Sequence, residues 1–170
     1  MQRNFKLDTW YVSPGHNIAD KIIEMGDSQS WGTPVKAAVT DWNISDYPLF
    51  DELVRQLHVL YPTYKIEELW GAVYRQGDYA QNHCHPGFDY SFVWYLDTCT
   101  HCSPLVFPDV EHPWMPPLHV ARPKVGQLLV FSGNDHHYVT PQYCTHERVV
   151  VSGNLVPVKK LSEWEPGYYQ

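Results

Sequence analysis

The sequence predicts a mainly β protein, an all-β barrel or sandwich with two helices against one outer face. Three observations carry this. After Glu67 the apolar residues leave helical spacing and fall into short alternating runs. Glycine, proline and aspartate separate those runs as turns at regular intervals. Ahead of Glu67, two stretches carry apolar residues three and four apart, the spacing of a helix lying on a sheet.

Taken in order, residues 1–12 alternate weakly through Phe5, Leu7 and Trp10-Tyr11-Val12, as an edge strand does. Ser13-Pro14 caps a helix from His16 to Met25, with Ile18, Ile22 and Met25 on one stripe and Gly26-Asp27 ending it. Ser28 to Thr33 reads as loop, Val35 to Val39 as a short strand, and Asp41 to Asp46, with Trp42, as turns. Pro48 to Tyr61 is the clearest helix. Pro48 suits a first turn, Leu49, Leu53, Leu57 and Leu60 form the stripe, Val54 and Tyr61 widen it, and Pro62 stops it. Strands follow at Leu69–Arg75, Tyr79–His83, Tyr90–Leu96, Leu105–Phe107, Gln127–Phe131, His137–Val139 and Glu147–Val151. The proline-rich run Val110 to Pro123, centred on Trp114, reads as loop. We expect one domain over 1–170, with its strand core at about 67–156 and residues 1–66 as support. The tail from Pro157, with Trp164, Tyr168 and Tyr169, packs on the barrel or joins two copies as a homodimer.

A net charge of −7, without a basic arm or stripe, argues against a long nucleic acid as partner. No stretch has the apolar length of a membrane span, and Arg3, Lys6 and Asp8 interrupt any leader-like run. An intracellular protein with free or metal-bound thiols is expected. The 7 tryptophans and 12 tyrosines fit a lined pocket or a partner surface, although aromatics also fill ordinary cores.

The chemistry centres on Asn82-His83-Cys84-His85-Pro86. Side chains in a strand repeat every second residue, so His83 and His85 share a face while Cys84 points away into the core. The turns Gly77-Asp78 and Pro86-Gly87 put the pair at a strand end. A histidine pair there is often only polar surface. With a third donor it holds a divalent metal, iron being the working choice. His137, which opens a strand after Gly133-Asn134-Asp135, is the favoured donor. His136 would face the other way, and Asp89 is a rival ligand or a group that orients an imidazole. Arg148 stands inside the apolar run Val149-Val150-Val151 and needs an anion. A salt bridge to Asp89 or Glu147 is the ordinary answer. The alternative is the carboxylate of a small-molecule co-substrate, because a guanidinium fork binds a carboxylate by two parallel hydrogen bonds. A metal with open positions beside such a fork suits a 2-oxo acid.

These residues also carry a resemblance. Tyr74-Arg75-Gln76-Gly77-Asp78-Tyr79, His83-Cys84-His85-Pro86, Ser91-Phe92-Val93-Trp94-Tyr95-Leu96, Gly126-Gln127-Leu128-Leu129-Val130-Phe131, His137 and Glu147 to Asn154 together resemble the iron(II)- and 2-oxoglutarate-dependent oxygenases. The small bacterial and phage group with a His-x-His element is the most similar, over about residues 70 to 155. The resemblance implies a double-stranded β-helix, or jelly roll, of cupin-like type. It implies oxidative decarboxylation of 2-oxoglutarate to succinate and CO₂ coupled to hydroxylation of a substrate, in the cytoplasm of a bacterium or a phage-infected cell. His83 would be the first iron ligand and His137 the distal one, with Arg148 on the far carboxylate of 2-oxoglutarate and Tyr74 adding a hydroxyl. His85 stands where the family commonly has Asp or Glu, giving three imidazoles. Val150 stands where many relatives have Ser, and Ser152 shares its face as a substitute.

In a jelly roll the strand before Cys99 and the strand at Glu147 are antiparallel neighbours, so their loops can meet. Cys99, Cys102, Cys144 and His146 would then form a tetrahedral structural zinc site; otherwise they are plain loop residues or a redox pair. Besides the oxygenase, two alternatives stand. One is a cupin-like three-histidine metal dioxygenase that uses no 2-oxoglutarate. The other is a non-enzymatic jelly-roll structural protein. The substrate is a peptide or a small molecule, a peptidyl side chain being preferred over an aromatic metabolite or a flat base. Trp94, Phe92, Trp114 and Trp42 are candidate pocket walls.

Overall fold

A computed structural model describes residues 4–26, 28–29 and 32–159. In chain order the elements are β1 (Leu7–Tyr11), α1 (Ile18–Met25), β2 (Ser28–Gln29), β3 (Val35–Lys36) and β4 (Ala38–Val39). A 3₁₀ turn (Pro48–Phe50) then leads into α2 (Asp51–Leu60). The remaining strands are β5 (Tyr64–Tyr74), β6 (Tyr79–His83), β7 (Tyr90–Asp97), β8 (Leu105–Phe107), β9 (His119–Ala121), β10 (Gln127–Ser132), β11 (His137–Val139) and β12 (Arg148–Pro157). They form a seven-stranded sheet, β1-β10-β7-β12-β5-β4-β2, and a five-stranded sheet, β3-β6-β11-β8-β9. The strand pairings in both are antiparallel.

Period-two alternation builds two cores on the two faces of the larger sheet. Leu69, Val73, Trp94, Leu96, Val149 and Val151 face the helices and pack with Ile22, Leu53 and Leu57. Ala72, Tyr74, Val93, Tyr95, Leu129, Phe131 and Val150 face the smaller sheet and meet Ala80, Leu105, Phe107 and Val139. The α1 helix seats closely because β5 offers a glycine there: a Cβ on Gly71 would stand 2.6 Å from Ile22 Cγ2.

Several elements differ from the sequence expectation. The stretch Val35 to Val39 is two strands, one in each sheet, joined where buried Ala37 crosses between the layers. Ser28-Gln29, expected as loop, pairs with β4. A strand, β9, lies inside the proline-rich run; it is an edge strand on β8, where flanking prolines remove no needed donor. β5 begins earlier than expected, because Tyr64 and Ile66 turn inward between exposed Lys65 and Glu67 and pair along β12. Trp114 is 76% exposed and packs on His112, away from the cavity beside His83, His85 and His137. Trp94 is a helix-side core residue whose Nε1–H donates to the Val12 carbonyl at 2.9 Å. Cys84 is half-buried and is not part of either core. The tail beyond residue 159, with the self-association expected of it, lies outside the described residues. No described helix is long and apolar enough to cross a membrane.

Candidate metal centre

β6 and β11 are antiparallel neighbours in the smaller sheet, and their register sets His137 directly opposite His83. His85 lies just past the end of β6. Its backbone N–H donates to the Gly133 carbonyl at 2.7 Å, and the Gly133 N–H donates to the Asp89 carbonyl at 3.1 Å. Those two bonds tie the β6–β7 and β10–β11 loops together. The approach is so close that a Cβ on Gly133 would fall on the Phe88 carbonyl oxygen. Held in this way, the three rings have centroid separations of 4.3 Å (His83–His137), 5.1 Å (His83–His85) and 5.2 Å (His85–His137). One ring nitrogen of each lies within 4.8 Å of the others.

The tautomers suit ligation. The Gln81 carbonyl lies 2.6 Å from His83 Nδ1, and the Asp135 carbonyl lies 2.9 Å from His137 Nδ1. A carbonyl only accepts, so each Nδ1 carries the proton and each Nε2 keeps its lone pair. Burial lowers all three pKa values. His85 is pushed to about 4 by burial and by neighbouring His83. His137 falls well below the ordinary value through burial and then His83. His83 is lowered by burial against the opposing Gln81 carbonyl. Near neutral pH the cluster is therefore three neutral imidazoles, the protonation state a metal needs.

The rings form one end of a narrow cavity between the sheets, about 40 Å³, whose walls also include Trp70, Tyr74, Val93, Phe131, Arg148 and Ser152. Arg148 is 1% exposed. Neither expected carboxylate reaches it: Glu147 pairs with Arg75 at 2.8 Å, and Asp89 accepts from Tyr64 Oη at 3.2 Å. Among the described residues no salt bridge to Arg148 forms, and its Nε and Nη1 have no hydrogen-bond partner. Its Cζ lies 4.7 Å from the Tyr74 ring centroid and 5.2 Å from that of Tyr95. Tyr95 Oη is likewise buried; it faces the guanidinium but makes no hydrogen bond of regular geometry among the described residues. Burial raises the pKa of both tyrosines against the opposing guanidinium, so both remain phenols. Orphaned donors gathered around a buried cation form a site shaped for an anion.

The structure thus brings together His83, His85, His137, Tyr74, Arg148 and Ser152. It excludes Asp89, and it turns His136 the other way, into a separate hollow with Asn82, Pro108 and Met115. Of the expected walls, Phe92 lines the cavity, whereas Trp42 reaches it only by packing on Trp70 at 4.5 Å between ring centroids. Trp70 and Tyr95 are not among the expected site residues. Period-two alternation marks both, Trp70 as the residue two before Ala72 and four before Tyr74, and Tyr95 as the inward partner of Val93. A second cluster joins Cys99, Cys102 and Cys144. His146 stands apart from it, because Asp97 Oδ1 holds its Nε2 at 2.9 Å. The expected four-residue zinc set is therefore three thiols.

No family model matches the sequence, and no curated protein does. Solved structures do. The viral collagen prolyl hydroxylase vCPH of Paramecium Bursaria Chlorella virus-1, in its 2OG complex, superposes with a TM-score of 0.64 at 13% identity, covering 89% of this chain and 96% of that one. A Pseudomonas putida prolyl-4-hydroxylase gives 0.63 at 16% identity, covering 92% and 95%. The non-heme alpha ketoglutarate dependent carbocyclase SnoK from nogalamycin biosynthesis gives 0.67 at 11% identity, covering 90% and 80%. The fold is a double-stranded β-helix, the architecture of these three structures. At these identities the likeness is one of architecture. Within this double-stranded β-helix the three histidines and Arg148 line the interior between the two sheets.

Proposed function

We propose that the protein is an iron(II)- and 2-oxoglutarate-dependent dioxygenase that hydroxylates its substrate through a three-imidazole centre. The observation that carries this reading is the buried Arg148, which has no carboxylate partner among the described residues and lies in the same cavity as the histidine cluster. His83 and His137 would ligate through Nε2, and His85 through a ring nitrogen. When bound, iron(II) with 2-oxoglutarate and dioxygen supplies the oxidising power, releasing succinate and CO₂. The chain's own task is to aim and enclose. Arg148 fixes the far carboxylate by charge-assisted hydrogen bonds, and the Tyr74 hydroxyl and Ser152 add to that end. Val93, Val150 and Phe131 keep water from the space between the carboxylate and the metal. Trp70, backed by Trp42, walls the cavity next to His85, at 6.1 Å between ring centroids.

For the substrate we favour a peptidyl side chain in that aromatic-walled cavity. Prolyl hydroxylases among the structural neighbours support this choice. The test is succinate release by apo protein reloaded with iron(II), across a panel of peptides and small metabolites. We expect succinate in proportion to hydroxylated product. Failure to bind or turn over 2-oxoglutarate would overturn the proposal.

A second reading rests on one observation. The residue that joins His83 and His137 in the cluster is the neutral His85 and not a carboxylate. Three imidazoles also suit a cupin-like dioxygenase that binds its substrate directly, with Arg148 receiving the substrate's own carboxylate. Oxidation of a carboxylate substrate with O₂ but without 2-oxoglutarate would select it.

A further inference from the structure

The three clustered cysteines are used by none of the chemistry above. Cys99 and Cys102 sit in the β7–β8 loop, and Cys144 sits in the β11–β12 loop. Their sulfurs lie 3.5 Å (Cys99–Cys102), 3.8 Å (Cys99–Cys144) and 3.7 Å (Cys102–Cys144) apart. A tetrahedral zinc with Zn–S bonds of about 2.3 Å spaces its sulfurs about 3.75 Å from one another. All three edges of the triangle lie close to that value, and all four cysteines of the chain are free thiols.

The local backbone is arranged for the same end. The Cys102 N–H donates to the Cys99 carbonyl at 3.1 Å, closing a tight turn across Cys-Thr-His-Cys. The Cys99 N–H donates to Cys102 Sγ at 3.3 Å, a bond that favours a thiolate. Packing alone does not account for the cluster. Cys102 is buried, whereas Cys99 and Cys144 are only partly buried and gain less as apolar side chains.

We propose that Cys99, Cys102 and Cys144 bind a zinc ion, with solvent in the fourth position. On binding, the three thiols release their protons to water. The ion joins two loops whose strands are already neighbours, Val149 of β12 facing Asp97 of β7. It thereby fixes the entry to β12 four residues before Arg148. The site stands whether or not the histidine centre is an oxygenase.

Cobalt(II) titration of chelator-stripped full-length protein tests it, because only a thiolate site gives sulfur-to-cobalt charge transfer in the near ultraviolet. An imidazole site gives none. We expect that band to saturate and to be bleached by zinc. Zinc-loaded protein should then alkylate at Cys84 while Cys99, Cys102 and Cys144 are protected. Cys102→Ser should abolish the band. If that variant does not fold, the titration and the alkylation map of the unmodified chain still decide. Absence of the charge-transfer band, or equal alkylation of all four cysteines with zinc present, would overturn the proposal.

Discussion

Replacing Arg148 by methionine should move folding stability and ligand binding in opposite directions. The guanidinium is fully buried, and two of its nitrogens are unpartnered. Each such donor costs about 1–3 kcal/mol in the ligand-free protein. The two flanking tyrosine rings return about 0.5–2 kcal/mol each as cation–π contacts. An apolar side chain of similar length removes both effects, so Arg148→Met should leave the apo protein as stable as before or more stable by roughly 1–2 kcal/mol. The same change removes two charge-assisted hydrogen bonds to a bound carboxylate, worth about 1.5–3 kcal/mol each. At about 1.4 kcal/mol per tenfold, 2-oxoglutarate should bind roughly 10²- to 10⁴-fold more weakly. Urea unfolding and anaerobic calorimetry read the two quantities separately. A variant that loses several kcal/mol of stability and keeps its affinity for 2-oxoglutarate would show that Arg148 is a structural cation, and the reasoning would fail.

Three further outcomes follow from the site. His137→Ala should weaken iron(II) or manganese(II) binding at least about 100-fold by removing one of three ligands, with unchanged far-ultraviolet circular dichroism; unchanged metal affinity would return the third position to another group. The apo protein should lose stability as pH falls from about 6.5 towards 4. His85 is held down to about 4 when folded, so between those values the unfolded chain binds the extra proton. This histidine alone contributes on the order of 3 kcal/mol, fully present above the unfolded value and lost at the acid end; a flat urea midpoint across that range would contradict the assignment. Gly133→Ala should cost about 1–3 kcal/mol and weaken metal binding, because the added methyl collides with the Phe88 carbonyl in the loop pairing that seats His85. A Gly133→Ala protein with native stability would show that the loop contact is loose.

Much of this architecture follows from local pattern. The period-two rule places His83 and His85 on one face, sets the bounds of β6, β8 and β11, and puts Arg148, Val150 and Ser152 towards the cavity. Local pattern fails where a partner far along the chain decides. Val35 to Val39 reads as one strand, but β6 and β5 claim its halves for different sheets. His119–Ala121 is hidden among prolines, and only β8 makes it a strand. Glu147 reads as a possible mate for Arg148, yet alternation sends the two to opposite sides, and Arg75 takes the carboxylate. His146 reads as a zinc ligand by proximity to Cys144, but Asp97 across the β7–β12 pair captures its ring.

In the proposed centre, three imidazoles from two distant parts of the chain hold one ion beside an anion-binding arginine. Anaerobic addition of 2-oxoglutarate to the iron(II)-loaded protein tests it most directly. A metal-to-ligand charge-transfer band should appear, saturate with 2-oxoglutarate and be lost in His137→Ala. An iron-loaded protein that binds 2-oxoglutarate without that band, or that gives the band unchanged in His137→Ala, would contradict it.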